Sequence, residues 1–187
     1  MKVRCSLLGF TLMELILVIV LLSILSLFAA SRFIGKSSVS AFALQEQAIS
    51  VIRQVQLNRM QSNINTPDKP YPDRCLPSSY QAGEDTSYTN FCLAITSSCI
   101  GSVAACNLAS NPRAARSDVV IDSSAQFSMI NGLSGPIEFN LLGNPLRAAS
   151  GGVSIVIRDA NGQSQCRVLI NSQGYVAQGS AVEGTCS

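Results

Sequence analysis

Three hydrophobic–polar patterns follow one another along the chain. From Phe10 to Ala30 the residues are almost all apolar, with Glu14 the one charge and Thr11, Ser23 and Ser26 the other polar positions. As a helix this run spans roughly 30 Å, the thickness of a hydrocarbon core, and it is apolar on every face. It predicts a transmembrane helix over 10–30, and Lys2 and Arg4 ahead of it predict a cytoplasmic N-terminus. A cleaved secretory signal competes with that reading, with Phe28-Ala29-Ala30 as a small-residue cleavage site, although such signals have a shorter apolar region. A carboxylate at the depth of Glu14 is costly in lipid and calls for a partner.

The second pattern has helical period. Ala41, Leu44, Ala48, Val51, Ile52 and Val55 recur at steps of three and four, with Gln45, Glu46, Gln47, Arg53, Gln54 and Asn58 largely opposite. An amphipathic continuation of the helix over 31–65 is expected, weakest at Gly35, fading near Ser62 and ended by Pro67. Residues 66–118, with Pro67, Pro70, Pro72 and Pro77, read as irregular, with one short strand at Phe91–Thr96. The third pattern begins at Asp118 and has period two. Strands are expected at Val119–Ile121, Pro136–Asn140, Gly152–Asp159 and Gln165–Ile170, with Asn161-Gly162 as a hairpin turn and a further turn and strand from Ser172 to Val176. The predicted fold class is α+β. A long N-terminal helix, half transmembrane and half amphipathic, packs on a C-terminal antiparallel sheet in a β-rich periplasmic domain over 66–187.

Gly9-Phe10-Thr11-Leu12-Met13-Glu14-Leu15, after a short basic leader, resembles the signal of type IV pilins and type II secretion pseudopilins. The resemblance implies that prepilin peptidase removes the leader 1–9 by cutting between Gly9 and Phe10, and then methylates Phe10. It also implies that Glu14 pairs with the N-terminal amine of a neighbouring subunit during assembly, two charges that lose less by leaving water together. Near the other end, Phe139 to Gly143, a strand, Asn161-Gly162, and Arg167-Val168-Leu169-Ile170-Asn171 followed by Gly174-Tyr175-Val176 are similar to the H-type pseudopilin and FimT-like minor pilins. Gln54-Val55-Gln56-Leu57, with Met60-Gln61 after it, is similar to minor pilins of the mannose-sensitive haemagglutinin system. The implied function is that of a minor pilin, a structural subunit in assembly or priming of a filament. The H-type minor pseudopilin of type II secretion is the alternative. The expected partners are other pilin or pseudopilin subunits, prepilin peptidase and the inner membrane, crossed once before the chain enters the filament.

Composition narrows the field. The chain of 187 residues has a formal charge of +2, and without Lys2 and Arg4 it carries 11 basic and 11 acidic side chains. A near-neutral chain lacks the basic surface of a nucleic-acid binder. Some FimT-like pilins bind DNA through basic residues after the last Gly of this motif, but Tyr175 follows Gly174 here and the tail has no Lys or Arg, so no nucleic acid is expected. Cys5 lies in the leader. Cys75, Cys92, Cys99, Cys106, Cys166 and Cys186 remain, an even number that suggests periplasmic disulfides. Six cysteines allow 15 connectivities. Cys166–Cys186 is expected to close the C-terminal segment, with the other four pairing locally. With no His and no Cys-x-x-Cys, a metal site is not expected. Asp118, Asp122 and Asp159 read as solvated acids in turns rather than a calcium site. No triad, Walker or dinucleotide pattern is present, so neither an enzyme nor a cofactor is expected. A membrane-anchored periplasmic binding domain or adhesin is the reading from another class, and the lack of Trp and the four Tyr give it little support.

Overall fold

The computed structural model describes residues 11–34, 36–107, 116–130, 132–159, 164–179 and 186, with side chains of 27–40 outside the description. The chain divides into two compact units, Met1–Lys36 and Ser37–Ser187.

The first unit contains helix α1 (Leu12–Ile34). Helix α2 (Lys36–Met60) belongs to the second from Ser37 onward. These two elements correct the expected fold class, because no single long N-terminal helix runs through the region. They also correct the expected location. Among the described residues no helix is long and apolar enough to cross a membrane. In α2 the polar positions recur every turn. The transmembrane half expected over 10–30, and the single-pass inner-membrane anchor built on it, are therefore not supported.

The second unit is α+β with two antiparallel sheets. Strands β1 (Cys92–Ile95), β2 (Cys99–Ser102), β3 (Val119–Ile121) and β5 (Ile137–Glu138) form one sheet in the order β3-β2-β1-β5. Strands β4 (Ala125–Met129), β6 (Val153–Asp159), β7 (Gln165–Ile170) and β8 (Val176–Gly179) form the other, in the order β4-β6-β7-β8. The β6–β7 register sets Ile155 opposite Val168 and Ile157 opposite Cys166, with alternate residues turned to the core. The Asn161-Gly162 turn expected between these strands lies outside the described residues.

Helix α2 joins both sheets in one core. Ala41, Ala48, Ile52 and Val55 are essentially inaccessible and pack with Leu93, Ile100, Phe139, Ile155, Ile157, Val168 and Ile170. Polar side chains of α2 fix its position. Gln45 Nε2 donates to the Arg167 carbonyl at 2.6 Å, and Arg53 Nη2 to that of Val176 at 2.8 Å. Gln56 Nε2 donates to the carbonyls of both Gly143 and Gly174 at 2.8 Å. Gln45 was expected on the polar face, yet it is buried, because a carbonyl of β7 is there to receive it. Two turns meet beneath Gln56. Gly174 has φ +78°, and a Cβ there would lie 2.3 Å from the Gly143 carbonyl oxygen.

Residues 66–118, expected to be irregular around one strand, also contribute β2 and the short helix α3 (Val103–Asn107). Their staples are local. Disulfides join Cys75 to Cys92, Cys99 to Cys106, and, further on, Cys166 to Cys186. Cys75 and Cys92 sit in a small second core with Tyr88 and Val103.

Candidate assembly helix and a buried carboxylate cluster

The residues nominated from the sequence fall into three groups. Gly9 and Phe10 lie outside the described residues. The six cysteines are paired. Glu14 lies in the first turn of α1, where Thr11 starts the helix. The Thr11 carbonyl accepts the N–H groups of Glu14 at 3.1 Å and Leu15 at 3.2 Å, and Thr11 Oγ1 also receives the Glu14 N–H at 3.3 Å. The acid therefore stands at the positive end of the helix dipole. Leu17 and Leu21, three and seven residues on, share its face. From Leu12 to Leu25 the large apolar side chains are 43–77% exposed. That is a continuous apolar surface on the chain as described, with one carboxylate near its start.

A second cluster, in the other unit, was not visible from the sequence. Glu138 on β5 alternates with Ile137 and Phe139, a pattern that places its side chain on the face opposite the core. Residues 71–91 fold over that face, and Glu138 is only 2% exposed. Arg74 Nη2 donates to Oε2 at 2.9 Å. Arg74 Nε lies 2.9 Å from Oε1 but off the hydrogen-bond direction. Arg147 Nε donates to Oε2 at 3.2 Å and the Tyr88 hydroxyl to Oε1 at 2.7 Å. Arg147 reaches this position from a left-handed backbone, φ +56°, with its guanidinium 5.0 Å from the centre of the Tyr71 ring. Tyr71 in turn donates to the Pro136 carbonyl at 2.6 Å. Burial alone would raise the Glu138 carboxyl, but the Tyr88 hydroxyl and the two arginines outweigh it and hold its pKa below the ordinary glutamate value. Burial, reinforced by Glu138, raises Tyr88.

Arg59, in the last turn of α2, lies over this cluster, 5% exposed, with its guanidinium 5.1 Å from the Tyr88 ring centre and 5.9 Å from that of Phe91. Its Nη1 donates to Ser62 Oγ and the Ile64 carbonyl, both at 3.1 Å, and Nη2 to Thr66 Oγ1 at 3.3 Å. Asp118 is not a solvated acid. It is buried and chelated by Arg116, whose Nε and Nη2 reach its two oxygens at 2.8 and 2.7 Å. Among the described residues no group of His, Cys, Asp or Glu is placed to hold a metal ion.

The signal for the Glu138 cluster was present only as fragments, an acid in an alternating strand and arginines 64 and 9 residues away along the chain. Nothing local links them. No protein-family model, curated protein or solved structure matches this chain.

Proposed function

We propose that this chain is a filament subunit of the type IV pilin kind, most like the minor pilins, whose α1 packs against other subunits of the same filament. The observation that carries the proposal is the exposure of α1. Its side chains from Leu12 to Leu25 are unburied, while α2 and the two sheets of the other unit already form a core together. Fully burying each such side chain is worth about 1.5–3 kcal/mol, so a helix of this kind is driven to find partners. Glu14 gives that association a register. A carboxylate carried into an apolar contact loses least where it meets a cation, and the N-terminal amine freed by cleavage at Gly9 supplies one on each neighbour. Head-to-tail contacts of this type do not close, and they generate a filament. Prepilin peptidase is the processing partner in this reading, with Phe10 the methylated first residue.

The test is intact mass and N-terminal sequencing of the protein from cells with an active prepilin peptidase, together with its recovery in sheared filaments. A chain that starts at methylated Phe10 and is recovered with filaments supports the proposal. An uncut N-terminus, or a cut after Ala30, overturns it.

A further inference from the structure

Beside the Glu138 cluster a cleft of about 380 Å³ opens on the second unit. Its polar wall includes Arg59, Arg74, Glu138 and Asn140, and its apolar rim includes Leu141 and Leu142, which are 55% and 74% exposed. The lining holds two cations and one anion. Glu138 is already shared between Arg74 and Arg147. Arg59 has no carboxylate partner among the described residues, and its Nε has no hydrogen-bond partner. The α2 C-terminus and the Tyr88 ring offset part of the cost of burying this guanidinium, but neither is an anion. Donors are also left over. Asn140 Oδ1 accepts the N–H groups of Leu142 and Asn144 at 2.9 Å, which orients the amide and leaves Nδ2 to donate. Arg74 hydrogen-bonds Glu138 through Nη2, while its Nε, 2.9 Å from Oε1, makes no hydrogen bond.

From this arrangement we infer that the cleft binds a small monocarboxylic acid with a short apolar tail. The carboxylate sits against Arg59, Arg74 and Asn140, where planar guanidinium donors match its two oxygens. The tail lies on Leu141 and Leu142. One net positive charge in the lining suits a monoanion better than a phosphate dianion. This site goes beyond the filament reading and does not depend on it.

The experiment titrates the full-length chain, labelled at arginine nitrogens and leucine methyls, with hexanoate, hexanol and inorganic phosphate, followed by NMR. Hexanoate is expected to shift the Arg59 and Arg74 side-chain signals and the Leu141 and Leu142 methyls in one saturable process. Hexanol and phosphate are expected to bind at least tenfold more weakly. Arg59→Gln should abolish binding. Because that change removes a buried group, Leu142→Asp is the companion variant; it places a like charge at an exposed rim position and should weaken hexanoate severalfold with the fold intact. Absence of a saturable shift, phosphate binding as tight as hexanoate, or hexanoate binding unchanged in Leu142→Asp would each overturn the assignment.

Discussion

Replacing Glu138 by Gln keeps the shape of the side chain and removes its charge. Two arginines and a tyrosine hydroxyl then face a neutral amide. The Arg74 pair is buried on both sides, with side chains 12% and 2% exposed. Breaking such a pair costs about 3–5 kcal/mol, because the remaining charge stays buried and uncompensated. Arg147 is 46% exposed, and its pair adds no more than the about 0–1 kcal/mol of a surface bridge. The glutamine oxygen still accepts one hydrogen bond, so the lower end applies, about 3 kcal/mol. For a unit of this size that is a fall in Tm of about 6–12 °C. The acid limb carries an independent check. The folded carboxyl titrates below its ordinary value of 4.5, so the unfolded chain takes up this proton first as pH falls. The stabilisation by Glu138 is complete above pH 4.5 and is lost as pH falls through the lower folded value. Urea unfolding of both proteins, followed by circular dichroism, should show a constant difference at neutral pH that narrows below pH 4.5. A difference under about 1 kcal/mol at neutral pH, or parallel curves through the acid window, would refute the reasoning.

Other outcomes follow from particular contacts. Gly174→Ala forces a Cβ against the Gly143 carbonyl at a positive φ, and should cost roughly 2–4 kcal/mol by urea unfolding. Ile52→Ala, at an inaccessible position where α2 meets both sheets, should cost about 2–5 kcal/mol in the same assay. Replacing Cys75 and Cys92 together by Ser opens a 17-residue loop and should cost about 3 kcal/mol, measured under non-reducing conditions. Glu14→Ala should leave unfolding unchanged, because the side chain is exposed, and should reduce recovery in sheared filaments; normal recovery would remove Glu14 from the assembly mechanism. Gly9→Val should leave the leader attached, and trimming of that variant would show that the cleavage site lies elsewhere.

What the sequence determined by itself is what periodicity and covalent chemistry carry locally. The stripe Ala41, Leu44, Ala48, Val51, Ile52 and Val55 marked the buried face of α2, because a 3.6-residue repeat needs no knowledge of its partner. Likewise β6 and β7 were legible from alternation, and the even set of cysteines pointed to disulfides. The apolar run after Phe10 predicts half of one long spanning helix, which α1 and α2 correct, since among the described residues no helix is long and apolar enough to cross a membrane. Composition speaks for apolarity but leaves open where one helix ends and the next begins. Tertiary structure alone decided that Gln45, Gln56 and Arg59 are buried, since each donates hydrogen bonds to a distant or following segment. It alone decided that the outer face of β5 is covered. Glu138 reads as a solvent-facing acid until residues 71–91 fold over it. Its pairing with Arg74 and Arg147 is a long-range electrostatic match for which the sequence holds no local signal.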